Sequence, residues 1–464
     1  MNNFIPNINE AKYLAGIQKR REIKSTITEG TERALENSVD EVRKYLTNNY
    51  SDLFEDTLSN DYAREKIKEK VAEFVRTRAI KVEGVDGLDE TIKAINLEIL
   101  DFGVITEYLE NESVEEIRVN SPFDIRIVVD GREYYTGKKF TSENVAINIA
   151  KKIVRTVGKT LSPSSPIVDA RLKNGQRVAC IISPNALSGI NLTIRKQKKE
   201  VFTAEKLIDF GTATKNMFEF LDVLGESEIS NMVIGPTNSG KTATLQTILT
   251  RLVEKNGDRR IITMEDTAEL NVKGAIAWET RNGVSLLDLL IHSLRQSPET
   301  MVLGEMRGQE AQTVVAAANT GHQIYNSFHA NGPADAPTRV LQMYMMGSTT
   351  LTQDMILDMI INAFPLCIFQ KKLKDGSRKI MSISELEGYE GGRLKYREIF
   401  KFKPIGIEQT QDINPLTGEK FYRKSIIGRH VFNSNISNIL HQRFLEAGID
   451  KGIANIYLKG KTEN

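Results

Sequence analysis

Gly235-Pro236-Thr237-Asn238-Ser239-Gly240-Lys241-Thr242 follows directly on the apolar run Met232-Val233-Ile234. The segment fits the GxxxxGK(S/T) pattern of a phosphate-binding loop, set between a strand-like run and an amphipathic helical one. Its glycines let backbone N–H groups turn inward around an anion. Lys241 is expected to reach the β- and γ-phosphates of a nucleoside triphosphate, and Thr242 to offer its hydroxyl to Mg²⁺. The helix that begins there points its positive dipole end at the same anion. ATP and Mg²⁺ are the expected ligands.

Two later carboxylate sites complete the chemistry. Arg260 to Met264 is strand-like and delivers Glu265, Asp266 and Glu269. Acids at a strand's C-terminal end face the crevice where α/β sheets bind ligands. Met301-Val302-Leu303 is a second such strand, ending in Gly304-Glu305, with Glu305 64 positions beyond Lys241. Glu305 is expected to polarise the lytic water, since phosphoryl transfer needs mainly positioning and charge stabilisation. Gly304 stands where such strands commonly carry Asp, so Mg²⁺ is expected to lean on Thr242 and Glu265. His322 and His329, seven apart beside small polar residues, read as a nucleotide-sensing segment. The plainer alternatives are hydrogen-bonded structural histidines or half of a metal site, the latter lacking a third ligand.

These residues need elements to hold them. Residues 1–110 are charged and helix-patterned, with Val42, Tyr45 and Leu46 on one face, then Ile67, Val71, Phe74 and Val75. A further helical run spans 91–108, and the first twenty-five residues are expected to be mobile. Over 111–196 the period shortens to two: Ile125, Ile127 and Val129 alternate before Asp130-Gly131, and Asn174-Gly175 marks a second hairpin. With a helix over 143–157 between them, this is an α+β domain. Residues 197–205 are the expected linker. From 206 to 390 strands alternate with helices, the pattern of a parallel α/β domain around the phosphate loop. Residues 391–464 read as a C-terminal extension with 13 Lys/Arg against 7 Asp/Glu, a net of +6.

Bulk properties exclude several classes. The 464 residues carry 62 Lys/Arg and 61 Asp/Glu, so no global field favours nucleic acid or anionic lipid. Cys180 and Cys367 are the two cysteines, which excludes a disulfide framework or a cysteine-rich zinc site and fits a reducing, cytoplasmic home. The run from Met355 to Phe369 contains Asp358, Asn362 and Pro365 and is too short and polar to span a bilayer. Any membrane role is expected to be peripheral.

GPTNSGKT, EDTAEL, LGEMRGQEA and TGHQIYNSFHAN, in that order, together resemble the type II/type IV secretion ATPase superfamily. They correspond to its Walker A motif, Asp box, an atypical Walker B and His box. EEIRVNSPFDI, SSPIVDARLKNGQRVACIISP and LTIRK are similar to the N-terminal domain of the CpaF/Tad-pilus and conjugation branch, and GRHVFNSNISNILHQRFLEAGI to its C-terminal end. The resemblance covers about residues 40–450. It implies a RecA-like ATPase domain, a homo-hexameric ring, and ATP held between the N-terminal and RecA-like domains. It also implies arginines from the N-terminal domain at the phosphates, and the matching positions are Arg171, Arg177 and Arg195. Arg281, Arg295 and Arg307 are weaker candidates on the ATPase domain. Leu294-Arg295-Gln296-Ser297-Pro298 departs from the usual Met-Arg-Pro-Asp, and Ile324 and Ser327 replace a glycine and a threonine of the His box. The tetracysteine insert of type II assembly ATPases is absent.

The resemblance implies a cytoplasmic motor, docked on inner-membrane platform or channel proteins, that powers a pilus or a secretion or conjugation apparatus. The alternative is a DNA translocase or helicase-like ATPase on the same core. The balanced charge and the lack of a basic–aromatic groove speak against direct nucleic-acid binding. A nucleotide-gated scaffold is a third reading, opposed by Glu305 and Glu265.

Overall fold

The computed structural model describes residues 29–464 apart from 56, 58–60, 83–84, 130, 173–174, 197–201, 256, 258, 391–392, 415–417, 419 and 460–464. The first twenty-five residues and most of the expected linker lie outside the described residues. The chain divides into two compact units, Met1–Lys198 with Gln411–Phe421 and Lys199–Thr410 with Tyr422–Asn464.

The first unit opens with three helices, α1 (Glu29–Glu55), α2 (Asp61–Thr77) and α3 (Leu88–Leu100). Val42, Leu46, Ile67, Val71, Val75, Ile95 and Ile99 meet in one core, as their three–four spacing dictates. The helical run expected over 91–108 is broken after Leu100. Gly103 takes φ +56°, and a Cβ there would lie 2.9 Å from Ile149 Cδ1, so the chain turns before α4 (Thr106–Glu110). Six strands follow: β1 (Val114–Ser121), β2 (Asp124–Val129), β3 (Arg132–Tyr135), β4 (Ile167–Arg171), β5 (Arg177–Ile182) and β6 (Ile190–Arg195). They form one antiparallel sheet in the order β3-β2-β1-β6-β5-β4. Helix α5 (Glu143–Arg155), capped by Ser142 Oγ accepting from Val145 N, lays Ala146, Ile149 and Ile153 on that sheet.

Lys152 of α5 ties the two parts together. Its Nζ donates to Ile99 O at 2.8 Å and Asp101 O at 2.9 Å, at the C-terminal end of α3. Arg64 joins it there, donating to Leu100 O at 3.1 Å and pairing with Asp101. Burial pushes the Lys152 ammonium down to about 7, with Arg64 and Arg43 adding to that and Asp101 opposing it.

The second unit is built on a nine-stranded sheet, in the order β15-β14-β13-β12-β7-β11-β10-β8-β9. The strands are β7 (Asn231–Ile234), β8 (Ile261–Glu265), β9 (Ile276–Glu279), β10 (Thr300–Leu303), β11 (Gln323–Phe328), β12 (Leu366–Lys372), β13 (Arg378–Glu390), β14 (Arg393–Ile413) and β15 (Lys420–Phe432). From β12 to β9 neighbours run parallel; β13 and β14 continue antiparallel. Helices cover both faces, which is why β7 and β10 are buried at every position rather than alternating. Met232, Ile234, Met301 and Leu303 enter one core, Val233 and Val302 the other. This is the expected RecA-like α/β arrangement, preceded by the α+β unit and its helices.

Parts of 391–464, read from sequence as an extension, share a core of the second unit. Ile399, Phe400, Ile436, Leu440, Phe444 and Tyr457 are buried with Val233 and Leu249. The Phe220 ring lies 4.9 Å from Tyr457 and 5.5 Å from Phe400. Basic residues interspersed along β14 and β15 hide the apolar positions that join this core.

Candidate active site

After α6 (Ala204–Asp209) and α7 (Lys215–Glu226), helix α8 (Lys241–Lys255) starts at the end of the phosphate loop, at the C-terminal edge of β7. The loop needs three unusual backbone positions: Gly235 at φ 156°, Asn238 at 61° and Gly240 at 95°. A Cβ at Gly235 would fall 2.0 Å from Gln370 O, so only glycine fits there. Ser239 is fully buried and its Oγ has no hydrogen-bond partner. A buried hydroxyl left without one is costly unless a ligand supplies it. Lys241 Nζ donates to Gly235 O at 3.1 Å and Pro236 O at 3.2 Å. Pro236 and Thr237 complete the loop with Thr242, which is half-buried at the helix start.

A chain of polar contacts leaves Lys241. Its Nζ lies 3.3 Å from His329 Nδ1, and His329 Nε2 lies 3.1 Å from Glu305 Oε1. Arg307 Nη2 donates to Glu305 Oε2 at 2.6 Å, and its Nη1 lies 3.5 Å from Asp266 Oδ2. The strands explain the meeting: β7, β11 and β10 are adjacent and parallel, so their C-terminal ends bring Lys241, His329 and Glu305 to one edge. Burial pushes the Glu305 carboxyl up. The Arg307 hydrogen bond and the charges of Arg307, His329 and Lys241 outweigh it, holding the group below the usual range. Ser327, a departure from the usual His box, donates its Oγ to Gly304 O at 2.6 Å and so pins the peptide that carries Glu305.

Glu265, expected beside Mg²⁺, is held by its own turn. It is buried, and its carboxylate accepts from the backbone N–H groups of Glu269 and Leu270 at 3.1 to 3.2 Å. It shapes the turn that follows β8, to which Glu269 contributes an N–H. The substitution of Asp by Gly304 follows from the same carboxylate. A Cβ at Gly304 would stand 2.6 Å from Glu265 Cγ.

Two residues far along the chain also hold the loop, and nothing in the sequence marked them. Gln370 of β12 covers Gly235 and Gly240, while Arg378 Nε donates to Asn238 O at 3.1 Å. Only the adjacency of β12 to β7 reveals them. Other candidates lie elsewhere. His322 precedes β11, at the edge of the sheet opposite the loop, lining a hollow with Ser230, Asn362 and Arg443. Arg281 pairs with Glu279, and Arg295 is exposed near the end of α9 (Leu286–Ser293).

In the first unit, strand register places Arg171 opposite Arg177 and Arg177 opposite Arg195. Directly opposed residues share a face with Cβ atoms about 5 Å apart. Val178, Ile194 and Leu192 turn the other way, into the core. The result is a row of three arginines across β4, β5 and β6. Directly opposed like charges are unfavourable in themselves.

The loop residues fit a nucleotide with Mg²⁺. The glycine cradle, the orphaned Ser239 hydroxyl and the N-terminal end of α8 suit phosphate oxygens, and the Thr242 hydroxyl suits a hard cation. Among the described residues no three His, Cys, Asp or Glu side chains cluster as a metal site of their own.

The model of the family described as type II/IV secretion system protein matches residues 98–414. The chain is 30% identical over 275 residues to an uncharacterised protein of Methanocaldococcus jannaschii, covering 56% of this chain and 37% of that one. It thus spans little more than a third of that relative's length. It is 26% identical over 233 residues to the conjugal transfer protein TrbB of Rhizobium radiobacter, covering 50% of this chain and 71% of that protein. The solved ATPase DotB of Legionella pneumophila matches 62% of this chain and 81% of its own, at 21% identity and TM-score 0.47. With its phosphate loop, its ordered carboxylates and a family model spanning most of its length, the chain belongs to the type II/IV secretion system protein family.

Proposed function

We propose that this protein is an ATP hydrolase that powers a secretion, conjugation or type IV/Tad-like pilus machine at a membrane. The observation that carries the reading is the contact chain Lys241–His329–Glu305 at the mouth of a complete phosphate loop. Gly235 to Thr242 hold the phosphates, Lys241 the transferred group, and Thr242 the Mg²⁺ that neutralises charge there. Glu305, kept ionised, orients the attacking water. His329 reports the position of Lys241 to Glu305. Glu265 and Glu269 keep the turn beside Glu305 in shape. Arg171, Arg177 and Arg195 supply guanidinium groups to the phosphates, as an arginine finger does.

The working form in this reading is a homo-hexamer in the cytoplasm, docked peripherally on inner-membrane platform or channel proteins. ATP turnover of the purified protein across concentration, with mass followed by light scattering, tests it. Turnover that rises with assembly to a species of six subunits is expected. Concentration-independent turnover by a monomer would sink the ring, and absence of ATP turnover at any concentration would sink the enzyme.

A further inference from the structure

We propose that Gln370 is a positioning residue of the nucleotide site, acting on the phosphates through the Ser239 hydroxyl. The inference rests on the nucleotide reading given above and adds to it a residue from outside the phosphate motif. Gln370 stands one residue past the last register pair of β12 with β7, Phe369 with Ile234, and so comes level with the start of the loop. It is only 1% exposed. Its backbone oxygen lies 2.0 Å from the point where a Gly235 Cβ would stand, and its side-chain Nε2 lies 2.9 Å from the point where a Gly240 Cβ would stand. One side chain thus bridges the two glycines of the loop. Ser239 lies between them in the chain, fully buried, with its Oγ 2.8 Å from the same Gly235 position. Ser239 Oγ and Gln370 Oε1 are both buried without a hydrogen-bond partner.

An amide sealed against glycines without a partner for its oxygen destabilises the fold, and an apolar side chain of the same shape would not. Packing alone therefore does not account for a glutamine here. A hydroxyl carries one donor hydrogen and two acceptor lone pairs, and a primary amide carries two donor hydrogens. Rotation of the Gln370 amide about its last torsion, a soft one, turns an N–H to Ser239 Oγ. That bond occupies a lone pair of the hydroxyl and aims its single hydrogen at a phosphate oxygen. Each bond in such a chain strengthens the next. The loop backbone needs no shift. Lys241 Nζ already donates to Gly235 O and Pro236 O, and Arg378 Nε to Asn238 O. Gln370 does not touch the nucleotide in this arrangement; it decides where the Ser239 hydrogen points.

Titration of the full chain with a fluorescent ATP and Mg²⁺, beside urea unfolding without nucleotide, tests it. Gln370→Met keeps the length of the side chain and removes the amide, and Ser239→Ala removes the hydroxyl. Each should weaken nucleotide binding about tenfold. Because the two groups act as one chain, the double variant should bind no more weakly than the weaker single variant. Without nucleotide, the urea midpoint of Gln370→Met should equal or exceed that of the wild type, whereas loss of a packing residue lowers it. Wild-type affinity in Gln370→Met, losses that multiply to about a hundredfold in the double variant, or a lowered urea midpoint in Gln370→Met would overturn the assignment while leaving the nucleotide site in place. No nucleotide binding by the wild type would overturn the nucleotide reading, and this inference with it.

Discussion

His329 Nε2 lies 3.1 Å from Glu305 Oε1 while its Nδ1 lies 3.3 Å from Lys241 Nζ. One imidazole thus touches both the lysine of the phosphate loop and the acid at the end of β10. With hydrogen on Nε2 alone, the ring donates to Glu305 and accepts from Lys241. With both nitrogens protonated, Nδ1–H turns to Gly235 O, 3.2 Å away, and the two cations repel. Replacing His329 by Ala should lower kcat about 10- to 100-fold through lost positioning, with KM changed little. Steady-state kinetics separate the two. A raised KM with normal kcat would make the ring a binding group only.

Lys241→Ala and Glu305→Gln should fail differently. The first removes the phosphate contact and should abolish both turnover and tight nucleotide binding. The second should cost about 10²- to 10³-fold in kcat while nucleotide still binds. Fluorescent-nucleotide titration beside phosphate release decides. Wild-type hydrolysis by either variant would remove its residue from the mechanism.

Restoring the common Asp at position 304 should harm the protein. The new Cβ would collide with Glu265 Cγ, at 2.6 Å, and press on the carboxylate that organises the turn after β8. We expect Gly304→Asp to destabilise by about 1–3 kcal/mol. Urea unfolding measures this, and unchanged stability would mean that β8 and β10 separate easily.

Arg177 sits between Arg171 and Arg195 in register. Arg177→Ala should lose at least about tenfold in turnover while the protein still folds. A variant less stable and fully active would assign the row a structural role.

Lys152 gives a pH dependence of known sign. Its folded value of about 7 lies below its unfolded value of 10.5. Between those values the unfolded chain binds the extra proton, so this residue's contribution to stability rises with pH across that window. Lys152→Met removes both the titration and two hydrogen bonds to carbonyls. The wild-type urea midpoint should rise relative to that of the variant from about pH 7 toward about pH 10. A constant gap would mean that the ammonium is solvated.

The loop, Glu305 and His329 were legible because each is a short motif on an apolar strand, and parallel strands deliver such residues to a common edge. The arginine row was legible as a list of positions, but its alignment came from register, which no single strand encodes. The turn contacts of Glu265 were not legible, because an acid at a strand end looks the same whether it meets a cation or its own loop's amides. Gln370 and Arg378 were invisible because they act through the pairing of β12 with β7, strands separated by more than a hundred residues. The shared core of residues 391–464 was hidden by the lysines and arginines that line the solvent side of β14.

β7 lies between β11 and β12, and Gln370 closes over Gly235. A growing chain that ends at residue 255 already carries every letter of the phosphate motif, yet it has neither neighbour of the strand that presents it. The cradle can form only after about a hundred more residues leave the ribosome and the long-range pairing is made, a slow step by its topology. The phosphate motif, contiguous in sequence, is thus completed as a structure only by a residue more than a hundred positions further on.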